Sequence, residues 1–219
     1  MKTIIFSDTH LTDRFDKKTY DFLTKLINKA DQIIINGDFW DAFSTTFDKF
    51  INSQWQGLFP LLKEKQTVYL YGNHDRKEFS DSRVNYFSIT QKQQHFAITN
   101  PKKLIIKHGH QYTPSIENFI QNDHIVSFLN KGYGIAEKYA LKIFGRGFFR
   151  YTLYRAFTFK MLRHARKYLK DDECLVCGHS HSAEFMPERK YINSGFIRHG
   201  LAQYLILENK KIRFVEEWY

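Results

Sequence analysis

Five times along this chain a short apolar run stops at a small cluster of Asp, His and Asn, and that repetition narrows the folds open to it. The clusters are Asp8-Thr9-His10, Gly37-Asp38-Phe39-Trp40-Asp41, Gly72-Asn73-His74-Asp75, His108-Gly109-His110 and Gly178-His179-Ser180-His181. The runs before them are Lys2 to Ser7, Gln32 to Asn36, Thr67 to Tyr71, Lys103 to Lys107 and Cys174 to Cys177. Each has the length and aliphatic content of a buried strand. In an open α/β sheet the strand ends converge on one edge, where ligands bind. Clusters that are far apart in the chain are therefore expected to meet.

The segments between the runs support such a sheet. Lys17 to Ala30 has helical periodicity, with Tyr20, Leu23, Leu26 and Ile27 on one face. Phe43 to Lys65 reads as mostly helical, with Pro60 bending or restarting it. The βαβαβ start predicts a partly parallel sheet covered by helices. Lys190 to Ile192, Gln203 to Leu207 and Lys211 to Glu216 read as closing strands, the last two joined through Glu208-Asn209-Lys210-Lys211. At 219 residues the chain is expected to form one domain, 1–219, interrupted by an insertion at 115–170. The insertion lacks strand alternation and reads as helical, with breaks near Gly132-Tyr133-Gly134 and Gly145-Arg146-Gly147.

The clusters carry the ligand set of a two-metal centre. Asp8 and His10, two apart on extended chain, can face the same ion, and so can His179 and His181. Asp38 has two oxygens and could bridge two ions, while Asn73 offers a neutral carbonyl. Carboxylate, imidazole and amide together suit Mn, Fe or Zn better than Ca or Mg. Any one cluster alone is more often a solvated turn or a structural histidine; the five in order are specific. Cys174 and Cys177 lie within an apolar strand and lack a second CxxC, which makes them buried thiols rather than a zinc or redox pair.

As a set, these motifs resemble the calcineurin-like metallophosphoesterase superfamily, whose pattern is D-x-H, G-D-x-x-D, G-N-H-D, an isolated H, and G-H-x-H. The resemblance covers most of the chain outside the insertion. It implies a four-layer αββα sandwich and a metal-dependent phosphoester hydrolase holding two divalent ions, Mn²⁺ first, with Fe or Zn as alternatives. By that pattern Asp8, His10, Asp38 and His181 would hold one ion. Asp38, Asn73, His108 and His179 would hold the other. His74 would stabilise the transition state or protonate the leaving oxygen, with Asp41 or Asp75 orienting an imidazole. His110, Arg76 and Arg198 are candidates for substrate contact.

Substrate choice is expected to lie in the insertion. The formal charge of the chain is +10, and the segment from Lys131 to Lys170 carries all of it, with eleven Lys/Arg and the single acid Glu137. Phe148, Phe149, Tyr151, Tyr154, Phe157 and Phe159 interleave with Arg150, Arg155, Lys160, Arg163, Arg166 and Lys167. Rings that enter an acyl boundary beside cations that meet anionic headgroups would suit a membrane surface. A lid packing its rings inward and nucleic-acid binding are the alternatives. The position of the insertion resembles the UDP-2,3-diacylglucosamine pyrophosphatase branch, which implies a lipid-linked nucleotide substrate and a peripheral membrane site. A soluble phosphatase, phosphodiesterase or nuclease is the other reading. The chain departs from that branch in having His74 where it has Arg, and His110 where it has Asp. Met1-Lys2-Thr3 leads directly into Ile4-Ile5-Phe6, too short a stretch for a signal peptide, and no run of about 18 apolar residues exists, so a cytoplasmic protein is expected.

Overall fold

The computed structural model describes residues 1–113, 123–145 and 153–219. The chain opens with β1 (Lys2–Phe6), α1 (Lys17–Asn28), β2 (Gln32–Asn36), α2 (Phe47–Ile51), α3 (Phe59–Glu64) and β3 (Val68–Leu70). It continues through β4 (Thr90–Lys92), β5 (His95–Ile98) and β6 (Lys103–Ile106). The helices α4 (Asp123–Phe144) and α5 (Leu153–Tyr168) follow. The remainder is β7 (Glu173–Cys177), β8 (Glu184–Met186), β9 (Tyr191–Asn193), β10 (Ile197–Arg198), β11 (Leu201–Glu208) and β12 (Lys211–Trp218).

These strands form two sheets. The first runs β10-β11-β1-β2-β3-β4, with β12 also paired to β11; the second runs β5-β6-β7-β9-β8. In the first, β1, β2, β3 and β4 are parallel neighbours, so β1 to β3 all end on the same edge. In the second, β6, β7 and β9 are parallel.

Side-chain alternation turns the two sheets into layers. Ile5 and Ile34 face inward and meet Leu104, Ile106, Cys174, Val176 and Ile192 of the other sheet. Their neighbours Ile4, Phe6, Ile33 and Ile35 face outward into the packing of α1, α2 and α3. On the far side α5 seats Met161 and Ala165 against Leu175, Cys177 and Tyr191. The order is thus helix, sheet, sheet, helix, the expected αββα sandwich. Truncating a side chain such as Ile34, 1% exposed between the sheets, would cost about 2–5 kcal/mol.

Local chemistry explains the element ends. Asp16 caps α1 by accepting from the Thr19 backbone N–H at 2.7 Å, a contact worth about 1 kcal/mol. Pro60 sits in the first turn of α3, where its missing N–H is harmless, and so restarts the helix after a short 3₁₀ turn at Gln54–Leu58. Asn209 and Lys210 both take positive φ, 50° and 60°, as a two-residue hairpin turn between β11 and β12 requires.

The structure departs from the sequence expectation in two ways. The short strands β4, β5, β8 and β10 were not anticipated, because two to four residues are too few to show alternation. No break occurs at Gly132-Tyr133-Gly134: α4 runs through it. An interior glycine weakens a helix by about 1 kcal/mol without ending it. The second expected break begins at Gly145, whose φ of 61° ends α4; Arg146 and Gly147 lie outside the described residues. So do Phe148, Phe149, Arg150 and Tyr151. Among the described residues no helix is long and apolar enough to cross a membrane.

Candidate metal centre

The ends of β1, β2, β3, β6 and β7 deliver all five clusters to one place. Backbone pairing links the loops directly. His10 N–H donates to the Asp38 carbonyl at 2.9 Å, Asp8 N–H to the Gly37 carbonyl at 3.1 Å, and Gly178 N–H to the His108 carbonyl at 2.9 Å. The turns are strained. Asp8, His10, Asp38, His179 and His181 all have φ between 45° and 64°. Side chains other than glycine rarely take this region, and such residues cluster at functional sites. Strand direction alone would send these side chains elsewhere; the left-handed turns aim them inward.

Two glycines make room for the carboxylates. A Cβ at position 72 would lie 2.1 Å from Asp38 Oδ1, and one at position 178 would lie 2.3 Å from Asp8 Oδ2. Asp75 braces the same loops by accepting three backbone N–H bonds, from Asp38 at 3.0 Å, Phe39 at 2.7 Å and Gly72 at 2.6 Å. It meets backbone N–H groups, whereas Asp41 is the carboxylate beside an imidazole.

The side chains form two neighbouring groups. In one, His181 Nε2 lies 3.3 Å from Asp8 Oδ1, and His10 Nε2 lies 3.8 Å from that same oxygen. In the other, His108 Nε2 lies 3.0 Å from Asp38 Oδ2 and 3.1 Å from Asn73 Oδ1, which is 2.9 Å from His179 Nδ1. Asp38 Oδ2 also lies 3.8 Å from His10 Nε2, so this one carboxylate faces both groups. His74 stands beside the first, its ring centroid 4.4 Å from that of His10. Its Nδ1 is 2.9 Å from Asp41 Oδ1.

Hydrogen bonds outside the groups select which nitrogen faces in. His108 Nδ1 can only donate to the Asn36 carbonyl, 2.8 Å away, so its Nε2 is left to act as a ligand. His181 Nδ1 lies 2.5 Å from the Glu137 carboxylate, with the same result. Burial alone would lower the pKa of both rings. Asp38 and Asp8 around His108, and Glu137 and Asp8 around His181, outweigh it and push the two up to about 9 and about 10. Burial likewise opposes ionisation of Asp8 and Asp38, yet His108 and the other rings hold both below the usual carboxylate range. His10, by contrast, is lowered to about 4 by burial and by His74.

The donors therefore fit a pair of divalent cations. Buried carboxylates demand positive charge, ring nitrogens converge (His10 Nε2 and His181 Nε2 are 3.1 Å apart), and the mixed oxygen and nitrogen set suits a transition metal.

The remaining candidates lie around this core. His110 lies beside His108 and His179, with ring centroids 5.6 Å and 6.4 Å away in tilted and edge-on contact. Arg76 lies over the Phe79 ring at 5.9 Å. Arg198 donates to Glu137 Oε2 at 3.1 Å. Glu137 itself was not foreseen as a site residue. It is 3% exposed, sits on α4, and also meets His199 Nε2 at 3.2 Å. The sequence held one signal for it, a single acid within a strongly basic segment. On the other flank α5 places Phe157 with its ring centroid 5.9 Å from that of His179.

Residues 1–189 match the sequence profile of the calcineurin-like phosphoesterases. The chain belongs to the calcineurin-like phosphoesterase family. It is accordingly a metal-dependent phosphoester hydrolase with a mixed α/β fold. No curated protein matches the sequence. Similar solved structures include Yfce, a phosphoesterase from E. coli, at 14% identity and TM-score 0.48, covering 98% of each chain. Thermotoga maritima protein TM1076 matches at 15% identity and TM-score 0.48, covering 100% of this chain and 99% of that one. A Vps29 single mutant from Entamoeba histolytica matches at 14% identity and TM-score 0.45, with 100% and 99% covered.

Proposed function

We propose that this phosphoesterase hydrolyses a phosphoester carried on a lipid, at an anionic membrane surface. The bond type rests on one observation: Asp38 Oδ2 faces His10 Nε2 at 3.8 Å and His108 Nε2 at 3.0 Å. Asp8, His10, Asp38 and His181 would hold one divalent ion, and Asp38, Asn73, His108 and His179 the other, with Mn²⁺ as the first candidate. Bound there, such a pair would supply charge neutralisation for phosphoryl oxygens and acidify water near neutral pH. His74 faces the reacting group and gives a proton to the leaving oxygen. Asp41 orients it through Nδ1, so the proton comes from Nε2.

The lipid surface is supported by α4. At 3.6 residues per turn, Ile125, Phe128, Ile135, Tyr139 and Ile143 share one face of that helix. All are exposed, Phe128 at 76% and Ile143 at 68%. The opposite face carries Glu137 and Leu141, which are buried toward the metal edge. Exposed Lys138 and Lys142 flank the apolar stripe, and α5 adds exposed Arg155, Lys160, Arg163, Arg166 and Lys167. An apolar stripe bordered by cations matches the acyl boundary and anionic headgroups of a bilayer. In this reading 115–170 is a lid-like insertion within a single domain, and the protein works on the inner face of the cell membrane. A lipid-linked nucleotide such as UDP-2,3-diacylglucosamine is the expected type of substrate.

The test has two arms. Mn²⁺-dependent hydrolysis of bis(p-nitrophenyl) phosphate, lost in Asp38→Ala, examines the chemistry. Co-sedimentation with phosphatidylglycerol vesicles, weakened by Phe128→Ser with Ile135→Ser, examines the surface. Equal binding to neutral and anionic vesicles, or turnover of soluble phosphodiesters with no turnover of any lipid-linked one, would reject the lipid reading in favour of a soluble phosphodiesterase or nuclease.

A further inference from the structure

Beside His10 opens a cavity of about 560 Å³ that none of the metal-facing roles accounts for. Its lining draws cations from four separate parts of the chain: Arg14 from the loop after β1, Lys18 from α1, Lys138 from α4 and Arg198 from β10. His199 adds an imidazole, and Asp16 is the only acidic side chain among the described lining residues. The Asp16 carboxylate is already engaged as the cap of α1. With Arg198 paired to buried Glu137, Arg14, Lys18 and Lys138 leave the cavity an excess of positive charge over Asp16.

Part of this lining is held in place from beneath. Buried Glu137 accepts from Arg198 Nη1 at 3.1 Å and meets His199 Nε2 at 3.2 Å through Oε2, while its other oxygen meets His181. One carboxylate thus ties two groups of the cavity to a metal-facing histidine. Arg14, Lys18 and Lys138 are exposed and stand around the opening. Trp218 and Tyr219 wall the cavity with rings, Trp218 being 63% exposed.

We infer that this cavity binds a second anionic group of the substrate, a phosphate other than the one being hydrolysed. The inference rests on the metal centre being the hydrolytic site, since His10 belongs to both. A phosphate offers several acceptor oxygens to guanidinium and ammonium donors, and such charge-assisted bonds are the strong ones. The preferred substrate is then a phosphoester bearing two phosphates, as in a diphosphate or bisphosphate, rather than a monoester or diester with a single phosphate.

Calorimetry on the Mn²⁺-loaded protein tests this, with fructose 1,6-bisphosphate and fructose 6-phosphate as probes. The bisphosphate is expected to bind about tenfold tighter, the worth of one charge-assisted hydrogen bond. Arg14→Gln combined with Lys18→Gln, and separately Lys138→Gln, should shrink that ratio toward one. Lys49→Gln, which removes a cation elsewhere on the surface, should leave the ratio intact. Equal affinity of the two probes for the unaltered protein, a ratio unchanged in the pocket variants, or an equal loss in Lys49→Gln would each overturn the proposal. Binding does not depend on turnover. Failure to hydrolyse bis(p-nitrophenyl) phosphate would count against the hydrolytic reading, and the probe ratio would still judge the cavity.

Discussion

Glu137 Oε1 lies 2.5 Å from His181 Nδ1, so a helix of the basic segment reaches into the centre built by the sheet edges. A carboxylate behind a ligating histidine fixes its ring and raises its basicity, and loss of such a partner costs about 10–100-fold in metal affinity. Glu137→Gln should weaken Mn²⁺ binding by that amount in calorimetric titration. Melting at saturating Mn²⁺ separates this from general damage. If Mn²⁺ affinity stays at the original value, Glu137 is only a packing contact.

His74 and Asp41 should separate chemistry from metal binding. His74→Ala is expected to lower kcat by about 10²–10⁴, the usual worth of a positioned acid, with metal content near that of the parent by mass spectrometry. Asp41→Asn should lower kcat less, because it loosens the ring without deleting it. An unaltered kcat in His74→Ala would remove His74 from the mechanism.

Gly72 has no room for a methyl group, since a Cβ there would fall 2.1 Å from Asp38 Oδ1. Gly72→Ala should destabilise the fold by about 1–3 kcal/mol and displace Asp38. Denaturant unfolding and metal titration on the same variant check both effects. A variant as stable and as metal-avid as the parent would contradict the packing described.

Removing metal should also cost stability. A ligand that binds only the folded state at 100 times its Kd contributes about 2.7 kcal/mol. Melting in excess chelator should therefore fall below melting in Mn²⁺, and Asp38→Ala should abolish the difference. An identical melting temperature in both conditions would mean that the carboxylates hold no ion.

The two cysteines should be silent in the native state. Burial pushes the Cys174 thiol up to about 12, and the Cys177 thiol, between the second sheet and α5, is raised by burial as well. The thiolate is the reactive form, so neither should react with a thiol reagent at pH 8 until denaturant is added. Fast labelling of the folded protein would argue against the inner packing of β7.

Much of this protein is local and was readable in one dimension. Ile33, Ile34 and Ile35 name a buried strand, and Lys17 to Ala30 name an amphipathic helix, because apolar runs and helical period are written in neighbouring residues. Asp8, His10, Asp38, Asn73, His108, His179 and His181 stood out because each follows such a strand, and strand ends share an edge. What the sequence alone could not decide depends on contacts across long separations. Glu137 lies 44 positions from His181, and only the docking of α4 brings a lone acid in a basic segment against that ring. The same docking carries Lys138 to Arg14, Lys18 and Arg198 around one cavity. Patterning specifies which residues are buried; which distant side chains become neighbours is set by how helices and sheets stack, and that emerges only in three dimensions.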